Sequence, residues 1–337
     1  MIELYVILYM EKLMNCKIAI VTGCFGFIGN HLTVKLLREG WYVFGIDKHN
    51  YASDTSQLEF ISENFPNKYK FINGDISKIK RLPQCDVLFN LAAESHVENS
   101  FHNSNKFIKS NIDGVRNLLE IIQGTLSSYD KPLFVQMSTD EVYGDIEEGS
   151  FDEESPLNPS NPYSATKASA DLFIKSWART HGQEYLILRP SNNYGTLQYH
   201  EKLIPLAVKR LKENKLIKLH NHGKPVRTWT HVKDTIEAIT LLVEKADRNR
   251  IYNISSEFEQ NNFETAQKII NCFFMGRATV NVPDFNKYID FSYSRPGQDV
   301  RYAISCNHLK QYGWSAKHPF NTEIVNIVNY YRERFVW

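Results

Sequence analysis

The sequence predicts an α/β protein, a doubly wound parallel sheet of the Rossmann type with a smaller, intertwined mixed α/β region. From Lys17 onward, short apolar runs alternate with longer segments of helical periodicity, which is typical of parallel strands joined by crossover helices. A glycine-rich loop stands between the first strand and the first helix. After Asn192 the pattern changes to a less regular mixture of short strands and helices.

The first half of the chain supplies the strands and helices of the predicted sheet. The apolar runs assigned to strands are Lys17–Thr22, Trp41–Ile46, Tyr69–Ile72, Asp86–Ala92, Leu133–Met137 and Tyr185–Leu188. Helical periodicity predicts helices over Phe27–Glu39, Phe107–Gln123 and Pro162–Thr180. Pro162 suits the first turn of the last of these helices, with Ser160 or Asn161 as its cap.

The second half predicts a smaller region. Its expected helices and strands are Lys202–Glu213, Ile217–Leu219, Val232–Lys245, Ile251–Ile254, Phe263–Phe274 and Thr322–Arg334. We therefore predict an N-terminal extension over residues 1–15, a nucleotide-binding Rossmann domain over 16–191 and a mainly substrate-binding region over 192–337, intertwined with the core.

The composition narrows the choice of partners and compartment. The chain carries 39 basic and 38 acidic side chains, and this balance predicts no nucleic-acid or membrane-surface partner, because such partners select basic patches. No apolar run approaches the roughly 18–20 residues that span a bilayer, and residues 1–15 lack the layout of a secretory signal. Five scattered cysteines without Cys-x-x-Cys spacing predict neither disulfides nor a zinc site, and no other metal site is expected. We expect a cytoplasmic protein.

The loop Thr22–Gly29 reads Thr-Gly-Cys-Phe-Gly-Phe-Ile-Gly. Glycines there allow a tight turn and a close backbone approach to a pyrophosphate, and the helix that follows presents free N–H groups to the anion. Asp47 ends the second strand, where a carboxylate can accept hydrogen bonds from ribose hydroxyls and would repel a 2′-phosphate. The predicted cofactor is therefore NAD rather than NADP. The alternative interpretation of Asp47 is a solvated loop aspartate. Asp75 is expected either to contact the adenine or to shape a turn.

Two polar motifs carry the candidate chemistry. Tyr163 and Lys167 are four residues apart on one helix face, so an ammonium can stabilise a phenolate whose unperturbed pKa, near 10, makes it a poor base. Taken alone, this spacing is usually structural. Thr139-Asp140-Glu141 follows the fifth strand, at the sheet edge where ligands bind in such folds. Adjacent carboxyl groups that titrate apart would form an acid–base pair, and a solvated acidic turn is the alternative.

These residues carry a family resemblance. The motifs that match are Thr22–Gly29, Leu91–Val97, Thr139–Glu141, Tyr163–Lys167, Ser191–Gly195 and Glu201–Pro205. From about Lys17 to the C-terminus the chain resembles the extended short-chain dehydrogenase/reductases and, more narrowly, the nucleoside-diphosphate-glucose 4,6-dehydratases. One departure is the loop itself, which has Cys-Phe where the family usually has Gly-Ala.

The resemblance implies a reaction and a role for each residue of the two motifs. Tyr163 would take the proton of the sugar 4-hydroxyl, with Thr139 on the same oxygen, while hydride passes from C4 to NAD. Glu141 would then remove the C5 proton, and a protonated Asp140 would protonate the departing 6-hydroxyl. Return of the hydride to C6 and of a proton to C5 leaves a 4-keto-6-deoxy sugar nucleotide.

The resemblance also implies binding residues. Those expected around NAD are Gly23, Phe25, Gly26, Phe27, Ile28, Gly29, Asp47, Lys48, Asp75, Ile76, Leu91, Ala92, Ala93, Ser110, Tyr163, Lys167 and Asn193. Those expected around the nucleotide sugar are Ser95, Thr139, Asn192, Lys202, Leu203, Lys218, His220, Arg227, Asn262 and Arg295.

Several alternatives stay open at the level of sequence. A 4-epimerase or decarboxylase on the same scaffold is disfavoured by Asp140 and Glu141, and an inactive NAD-binding protein by the presence of Tyr163 and Lys167. The choice between dTDP-glucose and UDP-glucose is undecided. A homodimer and a place in deoxysugar or rhamnose biosynthesis are expected from the resemblance.

Overall fold

The computed structural model describes residues 16–125, 131–279, 284–293 and 299–334. The predicted extension over residues 1–15 and the predicted contact residue Arg295 lie outside the described residues.

A seven-stranded sheet forms the framework of the fold. In chain order its strands are β1 Ile18–Thr22, β2 Tyr42–Asp47, β3 Tyr69–Asn73, β4 Val87–Asn90, β5 Leu133–Met137, β6 Tyr185–Pro190 and β10 Arg250–Ile254. Their order across the sheet is β3-β2-β1-β4-β5-β6-β10, and β1 pairs in parallel with both β2 and β4. The order reverses beside β1, as in doubly wound sheets, so the predicted fold class is confirmed.

Six helices accompany the strands of this sheet. They are α1 Phe27–Arg38, α2 Leu58–Asn64, α3 Val97–His102, α4 Ser104–Phe107, α5 Gly114–Thr125 and α6 Pro162–His181. The helix predicted over Phe107–Gln123 is present, but a π-helical turn, Ile108–Asp113, interrupts its α-helical hydrogen-bond pattern between α4 and α5. The turn contains Asn111, whose side-chain amide bonds the main-chain N–H and C=O of Glu94 at 2.9 and 3.0 Å. This tertiary contact has no counterpart in the local helical pattern.

The remaining elements belong to smaller sheets and their helices. They are β7 Asn192–Tyr194, α7 Leu203–Lys212, β8 Ile217–Lys218, β9 Val226–His231, α8 Val232–Lys245, β11 Glu259–Asn261, α9 Asn262–Met275, β12 Ile289–Asp290, α10 Asn307–Lys310 and α11 Phe320–Glu333. The strand Ile251–Ile254 was predicted for the smaller region, but it is β10 of the large sheet, where it pairs with β6. The sequence did not predict β7, β9 or β11, which form a three-stranded sheet in the order β11-β9-β7. These strands are short and polar, and pairing partners distant in sequence hold them in place.

Helices α7, α9 and α11 pack on this sheet through an aromatic core. The rings of Tyr194, Trp229 and Phe320 meet at centroid distances of 4.8 to 6.2 Å. Burial of such rings removes a large apolar area from water and stabilises the small sheet beneath them.

The described residues group into two compact units whose chain segments interleave. The first unit comprises Met1–Met137, Thr166–Ile187 and Asp247–Arg250, and the second comprises Ser138–Ala165, Leu188–Ala246 and Ile251–Trp337, within the described ranges. The predicted division at 191/192 thus differs from this grouping, which assigns residues 138–165 to the second unit. In the parts of the chain that are described, no helix combines the length and the apolar character needed to cross a membrane.

Tyr331 of α11 holds the loop that follows β7. Its hydroxyl accepts a hydrogen bond from the Gln198 N–H at 2.8 Å and contacts the carbonyl oxygens of Gly195 and Gln198 at 2.9 and 3.1 Å. The Gln198 side chain in turn donates to the carbonyl oxygen of Asn193 at 3.0 Å. One buried phenol therefore fixes the backbone after Asn192 and Asn193.

We predict that Tyr331→Phe lowers the free energy of unfolding by about 1–3 kcal/mol, because buried backbone groups lose their partner. Denaturant unfolding measures the change. Tyr293→Phe, at a ring that is 39 % exposed, is the matched control and should stay within about 0.5 kcal/mol of wild type. Equal effects of the two variants would contradict the role given to Tyr331.

Candidate active site

The glycine loop of the first unit has the shape that a dinucleotide pyrophosphate requires. Gly23 has φ +68°, and a Cβ there would lie 2.9 Å from the Ala92 backbone. A Cβ on Gly29 would collide with the carbonyl oxygen of Gly23, so the start of α1 packs directly on the loop. No side chain caps α1, and its first turn carries no acidic residue. Its N–H groups and positive end are therefore suited to an anion.

The bulky Phe25 turns away from the loop backbone and into the first unit. Its ring is 2 % exposed and lies 4.8 Å from the Phe71 ring and 4.9 Å from the His49 ring, centroid to centroid. Cys24 is also buried, within 3.6 Å of the Tyr69 hydroxyl, and burial raises the pKa of its thiol to about 12. Both side chains act as packing, so the departure from the usual loop sequence leaves the glycine positions intact.

Asp47 stands beside the loop at the end of β2. Its carboxylate accepts hydrogen bonds from the Phe25 N–H at 3.1 Å, the His49 N–H at 2.9 Å and the Ser53 hydroxyl at 3.0 Å. These bonds orient the carboxylate, whose lone pairs can accept further hydroxyl groups. The neighbouring Lys48 is engaged with Glu94, at 3.1 Å between Nζ and Oε1.

The other residues predicted around the cofactor occupy different settings in the first unit. Asp75 shapes a turn, since its carboxylate accepts from the Ser77 N–H and hydroxyl at 3.0 and 2.8 Å, which matches the alternative reading of this residue. Ile76 and Ser110 are buried, whereas Ser95, which was predicted for the nucleotide sugar, is exposed. Leu91, Ala92 and Ala93 follow β4 and are half-buried.

A buried polar chain, which the sequence did not predict, crosses the strand ends of the first unit. The Thr22 hydroxyl donates to Asn90 at 2.7 Å, and the Asn90 side chain donates to Gln136 at 2.8 Å. Lys167 of α6 then donates to the Met137 carbonyl oxygen at 2.5 Å. In the sequence, the polar residues Thr22, Asn90 and Gln136 within otherwise apolar strands could have indicated this chain. Because buried polar groups need partners, this chain fixes the strand ends beside the glycine loop.

Burial lowers the proton affinity of the Lys167 ammonium. The side chain is 4 % exposed, and desolvation lowers the pKa of Lys167 to about 8, opposed by the negative charge of Asp171 one helical turn away. Tyr163, 8 % exposed, precedes it by one turn on α6. The predicted pair therefore lies on one face of a single helix.

The two carboxyl groups that follow β5 lie in the second unit. Asp140 is 3 % exposed, and burial together with the charge of Glu141 raises the pKa of Asp140 to about 7. Thr139 donates to Asp140 Oδ1 at 3.2 Å, while Oδ2 is buried and forms no hydrogen bond with a described residue. Burial also raises the pKa of Glu141, against the lowering effects of Asn161, Arg227 and Lys202. The alternative interpretation of this motif, a solvated acidic turn, does not fit the burial of Asp140.

Arg227 provides the main positive charge near the acid pair. It is 8 % exposed, its guanidinium lies 4.6 Å from the centre of the Tyr302 ring, and it donates to the Asp299 carbonyl oxygen at 3.4 Å. Asp299 adds a negative charge that raises the pKa of Glu141. Burial, together with the charges of Glu141 and Asp299, raises the pKa of Tyr302. Neither Asp299 nor Tyr302 was predicted, because only the fold brings residues 299–302 to the turn after β5.

The remaining predicted substrate residues are spread through the second unit. Lys202, whose pKa burial lowers, precedes Leu203 at the start of α7, and Asn262 begins α9. Lys218 lies 4.4 Å and His220 5.3 Å from the Tyr293 ring. Asn192 and Asn193 form β7, and the buried Asn193 Oδ1 bonds no described residue. Across the described segments, no group of three His, Cys, Asp or Glu side chains has the arrangement of a metal site.

Comparison with known proteins identifies the family. A family model described as GDP-mannose 4,6 dehydratase matches residues 20–327. The chain belongs to this family of nucleotide-sugar 4,6-dehydratases. The low-salt glycan biosynthesis protein Agl12 of Haloferax volcanii is 36% identical over 93% of this chain and 97% of its own. The dTDP-glucose 4,6-dehydratase of Haemophilus influenzae is 34% identical, with the same coverage.

A solved structure of a 4,6-dehydratase supports the same placement. DesIV of Streptomyces venezuelae, a dTDP-glucose 4,6-dehydratase solved with NAD bound, superposes with a TM-score of 0.86 and 31% identity, covering 94% of this chain and 97% of its own. The resemblance inferred from the motifs is therefore confirmed at the level of family and fold.

Removal of the Asp140 charge should stabilise the protein at high pH. The folded carboxyl holds its proton to about pH 7, whereas the unfolded one releases it near pH 4, so stability is lost as the pH rises through that window. We predict that Asp140→Asn gains about 1–4 kcal/mol over wild type between pH 4 and pH 8, since one pKa unit corresponds to about 1.4 kcal/mol. Chemical unfolding at both pH values measures the difference. Asp145→Asn is the control, and a pH-independent difference for Asp140→Asn would contradict the raised pKa.

Proposed function

We propose that this protein is an NAD-dependent nucleoside-diphosphate-glucose 4,6-dehydratase, which converts an activated glucose into the 4-keto-6-deoxy sugar nucleotide. The observation that carries the proposal is the acid pair after β5, with Asp140 buried and Glu141 half-buried, in a chain whose α6 also presents Tyr163 and Lys167. A 4-epimerase removes hydride from C4 and returns it to the opposite face without eliminating water, so it has no use for this acid pair.

The first unit supplies the residues that fit NAD. The glycine loop and the uncapped start of α1 suit the pyrophosphate, and Asp47 suits the ribose hydroxyls. NAD, when bound, takes up hydride from the sugar and returns it. The carboxylate of Asp47 would repel a 2′-phosphate, which favours NAD over NADP.

Proton transfers are assigned to the chain's own groups. Tyr163 takes the proton of the 4-hydroxyl, and Lys167 stabilises the phenolate by its charge. Once C4 is a ketone, the C5 proton is acidic and Glu141 removes it. Asp140 protonates the leaving 6-hydroxyl, because its raised pKa keeps a proton available near neutral pH.

The nucleotide diphosphate is assigned to cations of the second unit. Arg227 offers a planar guanidinium suited to bidentate phosphate binding, and Lys202 adds a second positive charge at the start of α7. We assign Ser95, Asn192 and Asn262 to the same substrate. dTDP-glucose and UDP-glucose both satisfy these contacts, and a role in deoxysugar or rhamnose biosynthesis follows from either.

A homodimer is part of the proposal. Large apolar side chains are exposed on the first unit, with Ile108 at 43 % and Leu172 of α6 at 57 %. The π-helical turn that carries Ile108 bonds α6 through Asn111 and Thr166 at 2.9 Å. Exposed apolar groups on two connected helices favour burial against a second copy. The five described cysteines are free thiols, which supports the cytoplasm as the place of action.

The division of roles predicts two different defects. With dTDP-glucose or UDP-glucose, Asp140→Asn should retain single-turnover reduction of bound NAD while water loss slows by about 10²–10⁴-fold, because the acid is missing. Tyr163→Phe should abolish NAD reduction itself. Absorbance at 340 nm follows the first step, and the base-labile 4-keto chromophore follows the product.

Wild-type enzyme with both sugar nucleotides is the reference, and Glu148→Gln, on the surface, is the matched control. Failure of wild type to form a keto product from either nucleotide would refute the proposed function. Loss of NAD reduction in Asp140→Asn as complete as in Tyr163→Phe would refute the division of roles alone.

The apolar face predicts the effect of a charge on assembly. Leu172→Glu should shift the protein from dimer to monomer in sedimentation velocity, because a carboxylate would be buried in the interface. Leu216→Glu, at a residue 47 % exposed in the second unit, should leave the assembly unchanged. A monomeric wild type, or a dimer that tolerates Leu172→Glu, would contradict this assignment.

A further inference from the structure

Asn161 links two parts of the second unit that have separate tasks in the proposed reaction. It is 6 % exposed and directly precedes Pro162, the first residue of α6. Its side-chain oxygen accepts a hydrogen bond from the Ser164 N–H at 2.9 Å. Its side-chain nitrogen donates to Glu141 Oε2 at 3.3 Å. One carboxamide therefore contacts both the helix that carries Tyr163 and the carboxylate of Glu141.

The orientation of this carboxamide is determined by its neighbours. The Asn161 oxygen must face the Ser164 N–H, because only an acceptor can satisfy that donor. The Ser164 hydroxyl completes the turn, accepting from the Asn161 N–H at 3.2 Å and donating to the Asn161 carbonyl oxygen at 3.0 Å. With the oxygen committed to the helix, the NH₂ group points to Glu141. A cap that needed only an acceptor would be served equally by serine or aspartate.

We propose that Asn161 is a positioning residue for the base, tying the Glu141 carboxylate to the first turn of the helix that carries Tyr163. The inference rests on the proposed function. It assigns to Asn161 the orientation and ionised state of Glu141 at the step that removes the C5 proton. The hydride step does not depend on this bond, since Asn161→Ser retains the cap.

The charges around Glu141 show why a neutral donor is useful there. The groups that face it are Asp140, Lys202, Arg227, Asp299 and Tyr302. Burial and Asp299 raise the pKa of Glu141, while Asn161, Arg227 and Lys202 lower it. A bound diphosphate would neutralise part of the cationic contribution. The amide donor acts independently of phosphate and keeps the base ionised once substrate is present.

Two substitutions separate the cap from the contact to Glu141. Asn161→Ser keeps an acceptor for the Ser164 N–H but cannot reach Glu141, and Asn161→Asp keeps the acceptor while placing a like charge beside the base. With NAD-loaded enzyme and dTDP-glucose or UDP-glucose, both variants should retain NAD reduction within about threefold. Water loss should slow by about 10–100-fold, the effect of one hydrogen bond to a charged group.

The pH dependence of water loss gives a readout that a purely structural role would not move. A base works when ionised, so its rate rises with pH through its own pKa. Removal of the donor raises that pKa, and the acidic limb should shift upward by about half to one pH unit in Asn161→Ser and further in Asn161→Asp. Deuterium at sugar C5 should slow both variants more than wild type, since C5 proton removal becomes rate-limiting.

Ser164→Ala is the matched control, because it removes the hydroxyl of the same turn without touching Glu141. It should lower the midpoint of thermal unfolding and leave the acidic limb in place. An unshifted limb in both Asn161 variants, or an equal loss of NAD reduction and water loss, would overturn the inference while wild-type turnover upholds the proposed function. If wild type forms no keto product, the proposed function itself fails. Should Asn161→Ser not fold, Asn161→Asp decides.

Discussion

Two adjacent carboxyl groups at the end of a strand, Asp140 buried and Glu141 half-buried, impose the constraint around which the second unit is arranged. Neither can be ionised there without compensation, since desolvation and mutual repulsion both oppose the charge. The surroundings of the two acids differ. For Asp140, burial and the charge of Glu141 outweigh the hydrogen bond from the Thr139 hydroxyl, so its proton is retained to about pH 7. Glu141 has an amide donor and two nearby cations that favour its charge. In the proposed reaction, these different surroundings suit one group to act as the acid and the other as the base.

The first unit is suited to bind an anion through neutral groups. Its binding loop must present backbone N–H groups to an anion, so side chains are excluded at Gly23 and Gly29 and the helix start carries no cap. Behind the loop, Thr22, Asn90 and Gln136 satisfy one another across neighbouring strands. A fully bonded polar chain adds rigidity without adding charge. The polar groups at these strand ends already have hydrogen-bond partners, so they do not compete for the phosphates of a charged cofactor bound beside them.

Residues that the family pattern leaves unexplained acquire roles from their packing. Phe25 departs from the usual loop sequence, yet its ring packs against Phe71 and His49, so the departure changes the interior and spares the backbone. Asn161 was predictable as a helix cap from its place before Pro162. Its second bond, to Glu141, was not, because it depends on how the turn after β5 approaches α6.

The sequence by itself determined six strands of the large sheet, the glycine loop and the spacing of Tyr163 and Lys167. Each of these is recorded in short-range patterns, such as apolar periodicity, glycine conformation and the four-residue helical repeat. Only the tertiary structure decided the π-helical turn at Asn111, the short strands β7 and β9, and the neighbours of the acid pair. Arg227 and Asp299 influence Glu141 although they are 86 and 158 positions away in the chain. The effects of desolvation and charge on a pKa depend on spatial neighbours, which the local sequence does not specify.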